Sequence, residues 1–405
     1  MKLQQEITES LSEGDKALRV LSTGMEWFSE SPGGLPRYFA DYLDAWRNRG
    51  EDVKGLVWTR IPQTISQLPP YVEGVTALTK GRSSVRQCWR EKIAVELSQQ
   101  TFDVWNPHFA YYAWGAVNLS ELRDIPTVTH FHGPWAYESR VEHRGILRDV
   151  RFVLQKRIEQ YVYKGSHRFI VLSEAFKDVL IRDYGIPIGK IHVIPGGVDV
   201  RRFREADDRE RLRHVLGIPS DATVLVAVRR LVRRMGLMQL LNAIYRIRHD
   251  FPNIYLIIVG GGELYTELKA EVHRLRLDNH VRLTNRVPEE LLPAYYQVSD
   301  ISIVPSQYLE GFGLSTIESM ACGTPVVGTP IGGTLEILRD FDNNLLFAGT
   351  SSEAIADGLG RILGSIHRLP TRKETRDYVV AKYTWHDITA RIRDVFTLAR
   401  ESFGE

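Results

Sequence analysis

The chain has 405 residues, a formal net charge of +2 and 43% hydrophobic residues. That length exceeds the size at which single hydrophobic cores stop growing, so two domains are expected, and the near-balance of charge in each half gives no footprint for nucleic acid. Cys88 and Cys322, the only two cysteines, fall in segments assigned to different domains, so no disulfide framework is expected and a reducing, cytoplasmic setting fits.

In chain order, the first twenty residues are polar and acidic, without the basic start and apolar stretch of a signal peptide. No run of about 18 apolar residues follows, so neither secretion nor a membrane span is predicted. Apolar runs at 18–22, 53–58, 104–106, 127–131 and 169–172 each precede a longer segment of helical character, as βαβ units require; they predict one parallel sheet. Gly33-Gly34 follows the first run and opens a helix that carries Pro36 and Arg37, and Arg37 is expected to help bind an anionic acceptor. The run of aromatics from Trp105 to Trp114 suits either stacking on a sugar or lipid, or core packing. Two basic sets recur at helical spacing: Lys80, Arg82, Arg86, Arg90 and Lys92 around Trp89, and Arg140, Arg144, Arg148 and Arg151. Such faces can meet an anionic membrane surface or simply water.

A Pro-Gly-Gly turn at 195–197 and the pair Arg201-Arg202 mark a hinge, after which the pattern resumes with apolar runs at 224–228, 255–259, 281–284, 301–304 and 325–328. These predict a second parallel sheet. The segment 385–402 has the spacing of an amphipathic helix. The fold class is therefore α/β, with domains at 1–198 and 199–383 and a terminal helix at 384–405.

Residues 310–318, EGFGLSTIE, set two carboxylates around a Gly-Phe-Gly turn that starts a helix at a strand's carboxyl end. Gly311 and Gly313 let a ligand approach the backbone, unpaired amides attract phosphate, and Glu310 and Glu318 accept hydrogen bonds from hydroxyls, a combination suited to a sugar nucleotide. Upstream, VRRLVRRMG places Arg229, Arg230, Arg233 and Arg234 in a loop after a predicted strand. His130-Phe131-His132 alternates as a pair of metal ligands on a strand would, with no third ligand nearby. Asp340-Phe341-Asp342, the only Asp-x-Asp, sits beside Asn343-Asn344 and reads as a solvated turn.

EGFGLSTIE resembles the Glu-x7-Glu motif of the retaining glycosyltransferases of family 4. IHVIPGGVD, VRRLVRRMG, IIVGGGE and MACGTPVVGTPIGGTLEIL resemble that family's other segments in order and spacing, from about residue 190 to 347. The resemblance implies the GT-B arrangement: two Rossmann-like domains facing each other across a cleft, with the terminal helix crossing back onto the first. It implies a nucleotide-sugar donor and no metal or other cofactor. Glu318 would bind the ribose and Glu310 the donor sugar. Gly33, Gly34, Gly261, Gly311, Phe312, Gly313 and Leu314 would line the donor site, the backbone of Arg286 would meet the base, and His132 would touch the sugar. His130 is assigned to packing. The family's diphosphate clamp is an Arg and a Lys; Arg230 matches the first, but Met235 stands at the lysine, so Arg234 is expected to supply the second cation. The departing phosphate would take the acceptor's proton, consistent with the lack of a glycosidase-like acid pair in the first domain. The acceptor would be a saccharide, lipid or small molecule. Two other classes fit part of the pattern: a non-hydrolysing sugar-nucleotide epimerase and, given Met235, a non-catalytic sugar-nucleotide sensor. An NAD-dependent oxidoreductase lacks its G-x-G-x-x-G fingerprint.

Overall fold

The computed structural model describes residues 17–76, 84–142, 145 and 147–403. Lys80, Arg82, Arg144 and the acidic amino-terminal stretch lie outside the described residues. Among the described residues, the first half carries β1 (Arg19–Glu26), β2 (Asp52–Trp58), β3 (Val72–Val75), β4 (Val104–Pro107), β5 (Val128–Phe131), β6 (Arg168–Val171) and β7 (Ile191–Val193). They pair in parallel in the orders β3-β2-β1-β4 and β5-β6-β7. One bridge, Trp105 to Thr127, joins the two ladders, with the Trp105 N–H donating to Pro126 O at 3.0 Å. The expected single sheet is thus thinned to one rung at its middle, beside a proline that has no N–H to give. β3 and β7 lie at the two ends and have no apolar run of the predicted length; VEGV and IHV are too short and too polar to stand out.

The second half holds β8 (Thr223–Val228), β9 (Ile254–Val259), β10 (Val281–Asn285), β11 (Ile301–Val304) and β12 (Val326–Gly328), all parallel, in the order β10-β9-β8-β11-β12. β8 and β11 read as continuous apolar runs because helices cover both faces of the sheet; Leu225, Val226, Ala227, Ile301 and Ile303 are fully buried. The order reverses between β8 and β11, and at that switch point the strand ends leave a crevice that ligands of open α/β sheets occupy.

The final helix, Trp385–Glu401, is capped by Thr384 and buries Trp385, Ile388, Ile392, Val395, Phe396 and Ala399, one stripe of the 3.6-residue period. Each large apolar side chain so buried contributes about 1.5–3 kcal/mol. The stripe packs on the first half: Phe396 meets Trp46 at 5.2 Å between ring centroids, Trp385 meets Tyr38 at 5.1 Å, and Arg393 donates to Glu51 at 2.5 Å. The chain thus passes between the halves twice at one place, where the N–H of Val198 donates to Tyr383 O at 2.8 Å.

Candidate active site

The Glu310–Glu318 segment follows β11. Leu309 has a φ of 54°, an unusual conformation for a branched side chain, and turns Glu310 inward; Gly313, at φ 86°, starts the helix Leu314–Ala321. Glu310 is buried and accepts from Arg229 Nη2 at 2.6 Å and from Ser306 Oγ at 2.5 Å. Burial alone would push its carboxyl up, yet Arg229, the Ser306 hydroxyl and Arg234 outweigh it and hold it below the usual range. Glu318 accepts from Tyr296 Oη at 3.0 Å, and burial raises its carboxyl. The two carboxylates therefore stand on one segment, Glu310 in the turn before the helix and Glu318 within it, in opposite electrostatic settings.

The arginine loop leaves the end of β8 beside this turn. Arg229, which the sequence reading left without a role, is buried, as is Arg234: it also donates to the hydroxyl of Ser306 and, from Nη1, to Ser315 Oγ at 3.1 Å. Arg234 reaches into the cleft but is occupied. Its Nε donates to Glu142 at 2.9 Å, its Nη1 to Leu309 O at 2.9 Å, and its Nη2 lies 3.4 Å from Glu138. Arg230 is half exposed and donates to Glu142 at 3.3 Å; Arg233 turns away to Glu267. Met235 is buried. Gly236 has a φ of 71°, and a Cβ there would lie 1.8 Å from Pro305 O, so the loop closes against the Glu310 segment only with glycine.

Other predicted positions gather at the same place. A Cβ on Gly34 would stand 3.5 Å from Leu314, and Gly33 precedes the helix Gly34–Asn48, so the first-domain glycine loop touches the start of the Leu314 helix. Phe312 is buried beside Tyr383, with ring centroids 5.8 Å apart. Gly261 accepts from Leu231 N–H at 3.0 Å and lies under the Arg286 side chain. The backbone oxygen of His132 would stand 3.5 Å from a Cβ on Gly311. Arg37 is not free for an anion: it pairs with Glu289 at 2.6 Å, and Arg202 meets the same carboxylate at 2.7 Å.

His132 belongs to a stacked trio with His108 and His130, whose ring centroids are 4.1–5.9 Å apart. The tautomers follow from one carbonyl. Val128 O can only accept, so the Asn106 amide turns its nitrogen to it at 2.6 Å and to His130 Nδ1 at 2.8 Å. Asn106 Oδ1 then accepts from His108 Nε2 at 2.8 Å, which leaves His108 Nδ1 to accept from His132 Nε2 at 3.0 Å. His132 Nδ1 is a buried lone pair facing a small cavity shared with Glu159. Burial lowers all three imidazoles, His132 to about 3, and raises the Glu159 carboxyl to about 7. His132 is therefore a neutral group whose Nε2 turns inward to His108 and whose ring packs on Tyr38, while its backbone oxygen lies next to Gly311.

Asp340 is bound to Lys382 and to Tyr378 Oη at 2.7 Å, while Asp342 caps Asn344 N at 2.9 Å, the contacts of a surface turn. Among the described residues no group of three metal-ligating side chains is placed to hold one metal ion. Cys88 and Cys322 are both buried and free. Trp105 and Tyr112 resolve to the core of the first half. Among the described residues no helix is long and apolar enough to cross a membrane.

Two parallel sheets with a glycine-rich crevice between them place the chain in the GT-B class of glycosyltransferases. Residues 32–202 match the model described as Glycosyltransferase Family 4, and residues 208–379 the model described as Glycosyl transferases group 1. D-inositol 3-phosphate glycosyltransferase of Corynebacterium jeikeium is 33% identical over 291 residues, 69% of this chain and 68% of that one. The protein of that name from Xylanimonas cellulosilytica is 26% identical over 395 residues, 91% and 92% of the two chains. The fold is that of sucrose-phosphate synthase from Thermosynechococcus elongatus, with a TM-score of 0.79 at 21% identity over 94% of this chain and 98% of that one. Anabaena HepE, solved with UDP and glucose, gives 0.76 at 20% identity over 94% and 100%. The chain belongs to glycosyltransferase family 4.

Proposed function

We propose that this enzyme transfers a sugar from a UDP- or GDP-linked donor to an acceptor hydroxyl with retention of anomeric configuration and without a metal. The observation that carries the reading is the convergence of Glu310 and the arginine loop on the turn that starts the Leu314 helix, with Glu318 on that same helix. In this reading the helix amides with Arg230 and Arg234 take the diphosphate, each charge-assisted hydrogen bond contributing about 1.5–3 kcal/mol. Glu318 receives the ribose hydroxyls and Glu310 the hydroxyls of the sugar. The bond from the anomeric carbon to the β-phosphate oxygen breaks as the acceptor oxygen bonds the same carbon from the same face, and the acceptor proton passes to the departing phosphate oxygen. The acceptor is a saccharide, a glycolipid or a small molecule; the inositol phosphate named for the relatives makes a phosphorylated polyol the first to try.

Contact with an anionic membrane is part of the proposal. Leu147, Val150 and Leu154 are more than half exposed at the start of the helix Arg148–Lys164, next to the exposed Arg151, an apolar patch with a basic flank. Sedimentation with vesicles containing anionic lipid tests it; equal binding to neutral vesicles, or none, counts against it. The donor is tested by a panel of UDP-, GDP- and ADP-sugars scored for slow hydrolysis and thermal stabilisation. One nucleotide class is expected to do both, and an interconverted sugar in the absence of acceptor would point to an epimerase instead. Retention is read from the anomeric coupling of the product.

A further inference from the structure

The two guanidiniums assigned to the donor already hold anions, and both anions come from the other half of the chain. Glu138 and Glu142 stand four residues apart on one face of the helix Trp135–Glu142, whose start is held by Ala136 N–H donating to Glu159 at 3.3 Å. Glu142 accepts from Arg234 Nε at 2.9 Å and from Arg230 Nη2 at 3.3 Å, and Glu138 lies 3.4 Å from Arg234 Nη2. Arg234 is buried, so without these carboxylates its charge would be left with Glu310 alone, which Arg229 already pairs. A carboxylate offers a guanidinium the same paired oxygens as the edge of a phosphate.

We infer that Glu138 and Glu142 are a built-in competitor of the donor diphosphate: they occupy Arg230 and Arg234 until the donor arrives, and donor binding must displace them. The inference rests on the donor reading above. It accounts for the burial of Arg234 between the two halves, and it couples nucleotide binding to the first-domain helix.

The test is calorimetric titration of UDP or GDP, whichever binds the wild type, at fixed ionic strength. Arg234→Gln is expected to weaken binding, and Glu138→Gln with Glu142→Gln to tighten it by about tenfold, the scale of one charge-assisted contact. In the Arg234→Gln background the two glutamine changes are expected to tighten binding by less than in the wild type, since only the contact of Glu142 with Arg230 is left to release. Weakened or unchanged binding in the glutamine double variant, with Arg234→Gln still harmful, would overturn the competitor role and leave the donor site standing. Unchanged binding in Arg234→Gln would overturn the donor reading itself. Should the double variant not fold, Glu142→Gln alone, which keeps Glu138 beside Arg234, is expected to tighten binding about threefold, and no tightening there overturns the inference.

Discussion

Arg229 and Glu310 form a buried ion pair, 2.6 Å from Nη2 to Oε2, that ties the end of β8 to the turn after β11. Both side chains are almost wholly enclosed, and Ser306 and Ser315 satisfy most of the remaining polar groups. Removing one partner leaves the other charge buried and alone, which typically costs about 3–5 kcal/mol. Arg229→Ala is therefore expected to lower stability by that amount and to misplace Glu310. Urea unfolding checks it; a midpoint like that of the wild type would mean that water or Arg234 compensates the carboxylate.

The two glutamates should separate in function. Glu318→Gln keeps an acceptor for Tyr296 Oη, so the fold is expected to survive while binding of free nucleoside diphosphate weakens. Glu310→Gln removes the charge that balances Arg229, so it is expected to lower both stability and sugar-nucleotide turnover more than diphosphate affinity. Parallel titrations with the nucleoside diphosphate and turnover assays with the donor distinguish them. Equal losses on both ligands in both variants would contradict the assignment.

Much of this was legible in the sequence, for a physical reason in each case. Ten strands were marked by apolar runs, because buried parallel strands cannot alternate. The Glu310–Glu318 segment was legible because its two glycines and the helix start that follows them are written in consecutive residues. Glu138 and Glu142 were spaced to share a helix face, yet what they face is fixed by the approach of the two halves, which no local spacing encodes. His108 was missed for a similar reason: its contact with His132 depends on how β4 and β5 are joined, through one rung across Pro126. Arg229 was set aside because adjacent arginines in a loop look equivalent until burial separates them.

The histidine trio makes acid stability predictable in sign. Burial holds His132 near 3 in the folded chain, against about 6.5 when unfolded. The stabilisation from keeping it neutral is thus complete above pH 6.5 and is lost as pH falls toward 3, by about 1.4 kcal/mol per pH unit for each such histidine. Glu159 and Asp41, each raised to about 7, work the other way, since their stabilisation is present below about 4.5 and is lost as pH rises through 7. His132→Asn is expected to reduce the loss of stability between pH 6.5 and 5 by about one proton's worth. It is also expected to lower turnover. Urea unfolding at several pH values checks the first, and an unchanged slope would mean that the unfolded chain does not gain that proton.

Asp340 and Asp342 are committed to Lys382, Tyr378 and Asn344. EDTA is expected to leave most activity intact, and Asp340→Asn to alter stability slightly and turnover not at all. Activity abolished by EDTA and restored by magnesium or manganese would revive this pair as a metal site.

Arg234 and Met235 decide how the chain manages without the family's lysine. Arg234 donates to Leu309 O, one residue before Glu310, and Met235 beside it is a buried apolar side chain with no charge to offer. If Arg234 supplies the second cation, Arg234→Ala is expected to reduce kcat/KM by about a hundredfold or more, as loss of a charge contact in the transition state commonly does. Arg230→Ala should act in the same direction. Met235→Leu keeps apolar volume and is expected to cost less than about 1.5 kcal/mol of stability with little kinetic change. Met235→Lys in the Arg234→Ala background should restore part of the activity only if the ammonium can leave the buried site and reach the diphosphate. Near-normal kinetics in a soluble, folded Arg234→Ala would transfer the role to Arg229, which already stands between Glu310 and Ser315 at the start of the Leu314 helix.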